Sequence, residues 1–165
     1  MSLLTFNQIM NDRTLSFNFI QFAMSEFKGF ALVYDLYAVP CEMNFIEIKD
    51  IIFKNVDGIV FIADSQPCRL NENIVSFQKI LRLVETLGKP VHYIPIVVQC
   101  NKQDLSLALP PEIIKKKLEI NHNSFFSAIA NKEIGVFETL KEVILRIGRR
   151  MDPMQLTSGF EYQQN

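Results

Sequence analysis

The four residues from Asn101 to Asp104 form an N-K-x-D sequence directly after an apolar run that ends at Cys100. An aspartate carboxylate offers two acceptors in one plane, which match the two adjacent donors on the edge of guanine. Asp104 would therefore select guanine over adenine. In such sites the stem of Lys102 covers one face of the base, and the amide of Asn101 ties the loop to neighbouring backbone. This spacing predicts a guanine-recognition loop.

A second pattern is the pair Ser127 and Ala128, which ends a short predicted strand and precedes a loop and an amphipathic helix. Taken alone, N-K-x-D is common in solvated surface turns, and Ser127 is most simply a strand-end hydroxyl. Both patterns follow predicted strands of an α/β sheet, at the carboxyl ends where ligands bind. Position alone therefore allows a guanine pocket, with two unrelated turns as the alternative.

Two runs near the start predict an antiparallel hairpin. In 15–22 apolar and polar residues alternate with a period of two, which is typical of a strand with one buried face. The run 30–39 is rich in Phe, Val, Tyr and Leu, and a loop closed by Gly29 separates it from the first. Pro40 should end the second strand.

The middle of the chain predicts a parallel sheet. The runs 58–64 and 93–100 are almost wholly apolar, as in strands covered on both faces. Between them, 71–87 has apolar residues at helical spacing and ends at a Gly-Lys-Pro stop. A strand, helix, strand order implies a right-handed crossover and parallel pairing.

The last third predicts two more helices and a strand. A short helix follows Pro110 and Pro111, a small strand covers 124–128, and an amphipathic helix covers 136–147 and ends at Gly148. With 48% hydrophobic residues, one domain over 1–150 is expected, followed by a tail at 151–165 without periodicity.

Composition excludes several function classes. A net charge of -1 gives no field that would attract nucleic acid or an anionic membrane. The three cysteines are odd in number and far apart, so we expect no disulfide framework or zinc site, and a reduced, cytoplasmic location. No stretch reaches the ~18 apolar residues of a membrane span, and a soluble protein is expected.

Longer stretches resemble one known family. NDRTLSFNF, GFALVYDLYAVPCE, VDGIVFIADSQ, QCNKQDL and GVFETLKEV occur in the order and spacing of the MglA-type (mutual gliding protein) Ras-like small GTPases. The resemblance implies an α/β, Ras-like P-loop GTPase fold of three layers, with a mostly parallel sheet and one antiparallel edge strand. It also implies GTP/GDP with Mg²⁺ as ligands, a role in cell polarity and gliding motility, and a roadblock-type, MglB-like partner.

The same resemblance assigns roles to individual residues. Arg13 matches an intrinsic arginine finger, although an exposed charge before a strand explains it equally well, and Thr14 matches the threonine that senses nucleotide and metal. Pro40, Cys41 and Glu42 match a V-P-G-Q segment close to the terminal phosphate. The resemblance gives base recognition to Asn101, Lys102, Asp104, Ser127 and Ala128, with a backbone N–H of the Ser-Ala pair directed at the guanine oxygen.

Two substitutions depart from the family pattern. Cys41 stands in place of a glycine, and its Cβ restricts the backbone near phosphate. Glu42 stands in place of the glutamine that orients water, and a carboxylate there would repel the γ-phosphate. Hydrolysis by the usual mechanism is therefore not expected.

A phosphate cradle of the form G-x-x-x-x-G-K-[ST] does not occur in these residues. The sole Gly-Lys pair is Gly88 and Lys89, but Leu83 occupies the first glycine position and Pro90 follows the lysine. We expect the family's first strand, phosphate loop and first helix to be missing upstream of Met1, either truly or because the start is mis-assigned. The segment 3–9 is a poor substitute strand.

Two functional hypotheses follow. The first is a GTP-binding molecular switch of the MglA type with impaired nucleotide binding and hydrolysis. The alternative is a nucleotide-free pseudo-GTPase that acts as a protein-interaction or scaffold module.

Overall fold

The structure is a computed structural model, and its chain divides into two compact units, Met1–Asn55 and Val56–Asn165. Each unit is described by itself. The single domain over 1–150 stays a prediction, and the predicted tail lies outside the described residues. The structure describes residues 4–10, 13–27, 30–39, 52–86, 88, 93–120 and 124–150.

The first unit contains a three-stranded antiparallel sheet in the order β1-β2-β3. The predicted hairpin is confirmed, since β2 and β3 pair antiparallel from Asn18↔Ala38 to Phe27↔Phe30, with a register irregularity between Ala23 and Glu26. The strands are β1 (Leu4–Met10), β2 (Arg13–Phe27) and β3 (Phe30–Ala38).

Strand β1 overlaps the segment 3–9, which was expected to be a poor substitute for the family's first strand. It pairs antiparallel with β2, from Leu4↔Phe19 to Met10↔Arg13. In the described sheet β1 lies beside β2 and not beside β3, so it does not replace a strand next to β3. Apolar and polar residues alternate only from Leu4 to Asn7, and the rest of β1 does not keep the period.

The second unit contains a parallel sheet in the order β4-β5-β6. Its strands are β4 (Ile59–Asp64), β5 (Ile96–Asn101) and β6 (Phe125–Ser127). Strand β5 begins directly after Pro95, whose carbonyl accepts a hydrogen bond from the Ile59 N–H at 2.9 Å. The unit's helices are α1 (Leu70–Thr86), α2 (Pro111–Lys117) and α3 (Val136–Gly148).

Helices α1 and α3 cover opposite faces of this sheet. Phe61 packs edge-on against Phe77 of α1, with ring centroids 5.0 Å apart. Gly58 faces α3, because a Cβ there would lie 2.8 Å from side-chain atoms of Val143 and Ile147. Gly58 and Phe61 are three positions apart in an extended segment, so they face opposite sides of the sheet. The helices that they contact therefore lie on opposite faces.

Strand β5 forms the centre of the core. All its residues from Ile96 to Cys100 are buried, as a run covered by helices on both faces requires. The α/β class, the parallel pairing and the helices around it are confirmed as parts of a Ras-like fold. No helix among the described residues is long and apolar enough to cross a membrane.

Candidate functional site

The N-K-x-D loop and the Ser-Ala pair lie at the same edge of the parallel sheet. Asn101 is the last residue of β5 and Ser127 is the last residue of β6. Cys100 and Ser127 are register partners in the neighbouring strands. The fold therefore brings together the two loops that were predicted to form one pocket.

Two hydrogen bonds join these loops. The Asn101 side-chain Oδ1 accepts from the Ala130 backbone N–H at 2.9 Å, which is the backbone tie that the sequence predicts. The Gln103 backbone N–H donates to the Ala128 carbonyl at 3.1 Å. Each of these bonds involves a backbone group of the loop after β6. Together they fix the position of that loop relative to the N-K-x-D loop.

Asp104 keeps its acceptors available. Its side chain is exposed, and none of the described residues donates a hydrogen bond to its carboxylate. The carboxylate is thus a pair of free acceptors at the carboxyl end of β5, as guanine recognition requires. Selection of guanine by this residue stays a prediction.

The Ser-Ala pair has a structural role that its sequence did not indicate. The Ala128 N–H donates to the Cys100 carbonyl at 2.9 Å, and Ala128 is fully buried, whereas Ser127 is exposed. In this structure the Ala128 N–H is therefore used in pairing with β5. A donor from the Ser127–Ala128 pair to the guanine oxygen stays a prediction.

Gly135 supports the Ser-Ala pair and was missed as a site residue. Its φ is +76°, and a Cβ on it would lie 2.1 Å from the Ser127 carbonyl oxygen. Its own carbonyl accepts a 2.6 Å hydrogen bond from the buried Thr139 hydroxyl. The available signal was a glycine immediately before the first residue of an amphipathic helix.

Gln103, the variable position of the motif, was also missed. Its Nε2 donates to the Ser65 hydroxyl at 2.6 Å and to the Leu109 carbonyl at 2.9 Å. Ser65 is fully buried just after β4. The Gln103 side chain therefore anchors the loop to the neighbouring strand, and the motif itself carried no signal for this.

Lys102 and Asp64 form an ion pair at the same edge, with 2.7 Å between Lys102 Nζ and Asp64 Oδ2. Partial burial raises the pKa of Asp64, but the hydrogen bonds from Lys102 and the Gln66 N–H bring it below its usual value. The carboxylate is therefore ionised at neutral pH.

Cys100 beneath the loop is a packing residue. Burial, with a contribution from the negative charge of Glu112, raises the pKa of the Cys100 thiol to about 12. The thiol is protonated at neutral pH and is not a nucleophile.

The phosphate-side residues of the resemblance are placed only in part. Arg13 and Thr14 begin β2, opposite Met10 and Ile9 of β1, and only their backbone is described. The predictions for Pro40, Cys41 and Glu42 lie outside the described residues.

The described residues also contain no group of three His, Cys, Asp or Glu side chains that could hold a metal ion. Mg²⁺ coordination through Thr14 therefore stays an expectation of the resemblance. Base recognition by the loops after β5 and β6 stays a prediction.

The parallel α/β unit with this loop at its carboxyl edge belongs to the class of Ras-like small GTPases. Residues 42–163 match the sequence profile of the signal recognition particle receptor beta subunit family. The chain is also 37% identical over 132 residues to the mutual gliding-motility protein MglA of Myxococcus xanthus (strain DK1622). The match covers 80% of this chain and 68% of that protein. The chain belongs to the MglA-type small GTPases.

Proposed function

We propose that this protein is a guanine-nucleotide-linked switch protein in which the second unit selects the base. Asp104 accepts from the guanine edge, the stem of Lys102 covers the ring, and Asn101 holds the loop in place. GTP and GDP are the proposed ligands. Rapid hydrolysis is not part of the proposal, because Cys41 and Glu42 replace the residues that usually orient water at the phosphate.

One observation carries the proposal. The N-K-x-D loop is tied to the loop after β6 by the bonds from Ala130 to Asn101 and from Gln103 to Ala128, while the Asp104 carboxylate is exposed and has no partner among the described residues. A solvated surface turn does not need both of these hydrogen bonds. A loop that must present two acceptors in a fixed plane needs them, because they fix its position.

The biological setting is a further part of the proposal. Similarity to a mutual gliding-motility protein supports a role in cell polarity or surface motility, together with a roadblock-type protein partner. Among the described residues Cys68 and Cys100 are free thiols, which supports a reducing, cytoplasmic location.

A nucleotide-free interaction module is the second candidate. It is favoured by the sequence, because Cys41 and Glu42 replace the glycine and glutamine of the family pattern. Under this hypothesis the guanine loop is retained only as part of the scaffold.

Titration of the isotope-labelled chain with guanosine and adenosine, followed by amide NMR, separates the two candidates. We expect guanosine to shift the amides of 101–104 and to bind at least about tenfold more tightly than adenosine, a difference of roughly 1.4 kcal/mol. Asp104→Asn should move the preference toward xanthosine, because an amide donates where the carboxylate accepted.

The matched control is Glu85→Gln, which neutralises an exposed carboxylate near the end of α1, away from the loop. It should bind guanosine as the wild type does. Equal guanosine and xanthosine preferences in the wild type and Asp104→Asn would contradict the assignment of Asp104. A wild-type chain that does not respond to guanosine would support the interaction module.

A further inference from the structure

The ammonium of Lys102 is held by a residue of the neighbouring strand. Lys102 directly follows Asn101, the last residue of β5, and its φ of +66° lies in the left-handed region that few non-glycine residues adopt. Asp64 ends β4 and is the register partner of Asn101. The left-handed turn directs the lysine back toward β4, where its Nζ lies 2.7 Å from Asp64 Oδ2.

Asp64 is itself fixed by three further hydrogen bonds. Its Oδ1 accepts from the Gln66 backbone N–H at 3.0 Å. Its backbone N–H donates to Asn73 Oδ1 at 3.1 Å, and its carbonyl accepts from Asn73 Nδ2 at 2.7 Å. Asn73 is buried in α1 with 7% of its surface exposed. One buried amide therefore holds both backbone groups of Asp64.

Fixing the ammonium restricts the whole lysine side chain. A lysine stem is long and flexible, and ordering it against a ligand costs side-chain entropy. When its charged end is already bound, fewer rotamers remain to be lost on binding, which favours the ligand. The Lys102 side chain is still 47% exposed, so its apolar stem remains accessible to a flat ring.

We propose that Asp64 is a positioning residue for guanine recognition, which acts by holding the ammonium of Lys102 and is itself held by Asn73. The inference rests on the proposed function, since it names what orients the ring-covering lysine. Asp64 does not contact the base in this proposal. Its effect on affinity therefore depends entirely on Lys102.

A purely structural role for the pair predicts a different result. Ion pairs with a partner as exposed as Lys102 contribute little to folding stability. The positioning role predicts that Asp64→Asn lowers guanosine affinity while the unfolding temperature changes little. A structural role predicts that any loss of affinity follows a loss of stability.

A double-mutant cycle tests this dependence. Guanosine affinity is measured by amide NMR titration for the wild type, Asp64→Asn, Lys102→Met and the double variant. We expect Asp64→Asn to weaken binding by about three- to tenfold in the wild-type background and to have no further effect in the Lys102→Met background. Methionine keeps an apolar stem but has no ammonium.

The matched control is Glu72→Gln, which removes a carboxylate from another exposed ion pair, 2.8 Å from Arg69, without contact to Lys102. It should leave guanosine affinity unchanged. Equal affinities of the wild type and Asp64→Asn would overturn the positioning role alone, and so would an undiminished effect in the Lys102→Met background. A wild-type chain without any guanosine response would overturn the proposed function as well.

If Asp64→Asn does not fold, the ion pair between Asp64 and Lys102 can be tested by a pH titration of the Asp64 carboxyl. The ¹³C shift of the Asp64 carboxyl is followed against pH in the wild type and in Lys102→Met, with Arg69 as the other nearby cation. We expect the Asp64 midpoint to rise in Lys102→Met. An unchanged midpoint would show that the pair does not form in solution and would overturn the inference.

Discussion

The two units of the chain differ in how firmly their described residues are held. In the second unit, β5 is buried along almost its whole length, and the loop that follows it is tied to β4 and β6 by side-chain and backbone hydrogen bonds. In the first unit, the described side chains of β3 are largely exposed, including Val33 at 59% and Leu36 at 39%. The candidate base site thus lies on the better-buried scaffold.

The proposed base-recognition residues and the residues expected near phosphate lie in different units. Discriminating guanine from adenine requires acceptors in a fixed plane, and the hydrogen bonds that hold the 101–104 loop among the described residues all lie within the second unit. The residues that resemblance places near phosphate, Arg13 and Thr14, belong to the first unit. Base selectivity can therefore be measured without any assumption about hydrolysis.

The largest expected effect is at Gly135. In Gly135→Ala the new Cβ would lie 2.1 Å from the Ser127 carbonyl oxygen and 2.9 Å from Ala128 Cα, so main chain would have to move. The left-handed φ of +76° adds strain. We expect a loss of at least about 3 kcal/mol of unfolding free energy in denaturant titrations, together with altered amide shifts in 127–128.

Gly88→Ala is the matched control. Gly88 also has a left-handed φ, of +69°, but a Cβ there would meet no atom of the described residues within 4 Å. Gly88→Ala should lower the free energy of unfolding by only about 1 kcal/mol, which is the cost of a left-handed backbone for a residue with a Cβ. Similar losses in the two variants would show that the contact between Gly135 and the Ser-Ala pair is unimportant, and would remove one basis for the contrast between the units.

Local patterns predicted the elements of the second unit well. The apolar runs, the helical spacing of 71–87 and the N-K-x-D position depend on neighbours in sequence, and the structure has strands and helices there. Strand β5 begins at Ile96, three positions after the start of the predicted run 93–100, because Pro95 cannot donate to the ladder.

The contacts that hold the site could not be predicted this way. Gln103 reaches Ser65, and Lys102 reaches Asp64, each across 38 positions of sequence. Position 135 requires glycine because the turn after β6 brings it close to the carbonyl of Ser127, eight positions earlier, which leaves no room for a Cβ. A local sequence pattern does not specify which distant group a side chain will contact in the folded protein. The pairing of β1 with β2 likewise depends on residues outside the segment itself.

A smaller effect is expected at Glu142 on α3. Its Oε1 accepts from Arg146 Nε at 2.6 Å and from the Ser124 hydroxyl at 2.9 Å. The bond from Arg146 holds the pKa of Glu142 below its ordinary value of 4.5, although burial partly opposes this. Glu142→Gln should cost about 1 kcal/mol at pH 7, since both groups are only partly exposed.

The pH dependence gives the sign of this contribution. A carboxyl whose pKa is lower in the folded state stabilises the fold above its unfolded value and loses that contribution as pH falls through its folded pKa. The difference between wild type and Glu142→Gln should therefore shrink below pH 4.5 in urea titrations. Glu119→Gln, at an exposed carboxylate, is the control, and a gap that stays constant down to pH 2.5 would contradict the pairing.

The smallest effect is expected in the first unit, at Asp35. It accepts an exposed 2.8 Å hydrogen bond from Gln21 across β2 and β3. Asp35→Asn should change the unfolding free energy by less than about 0.5 kcal/mol, because solvent replaces the bond. The pKa of Tyr37, raised by burial and then by the Asp35 charge, should fall in an ultraviolet titration. A large loss of stability with an unchanged Tyr37 titration would mean that this sheet depends on its exposed pairs, and that the contrast between the two units is wrong.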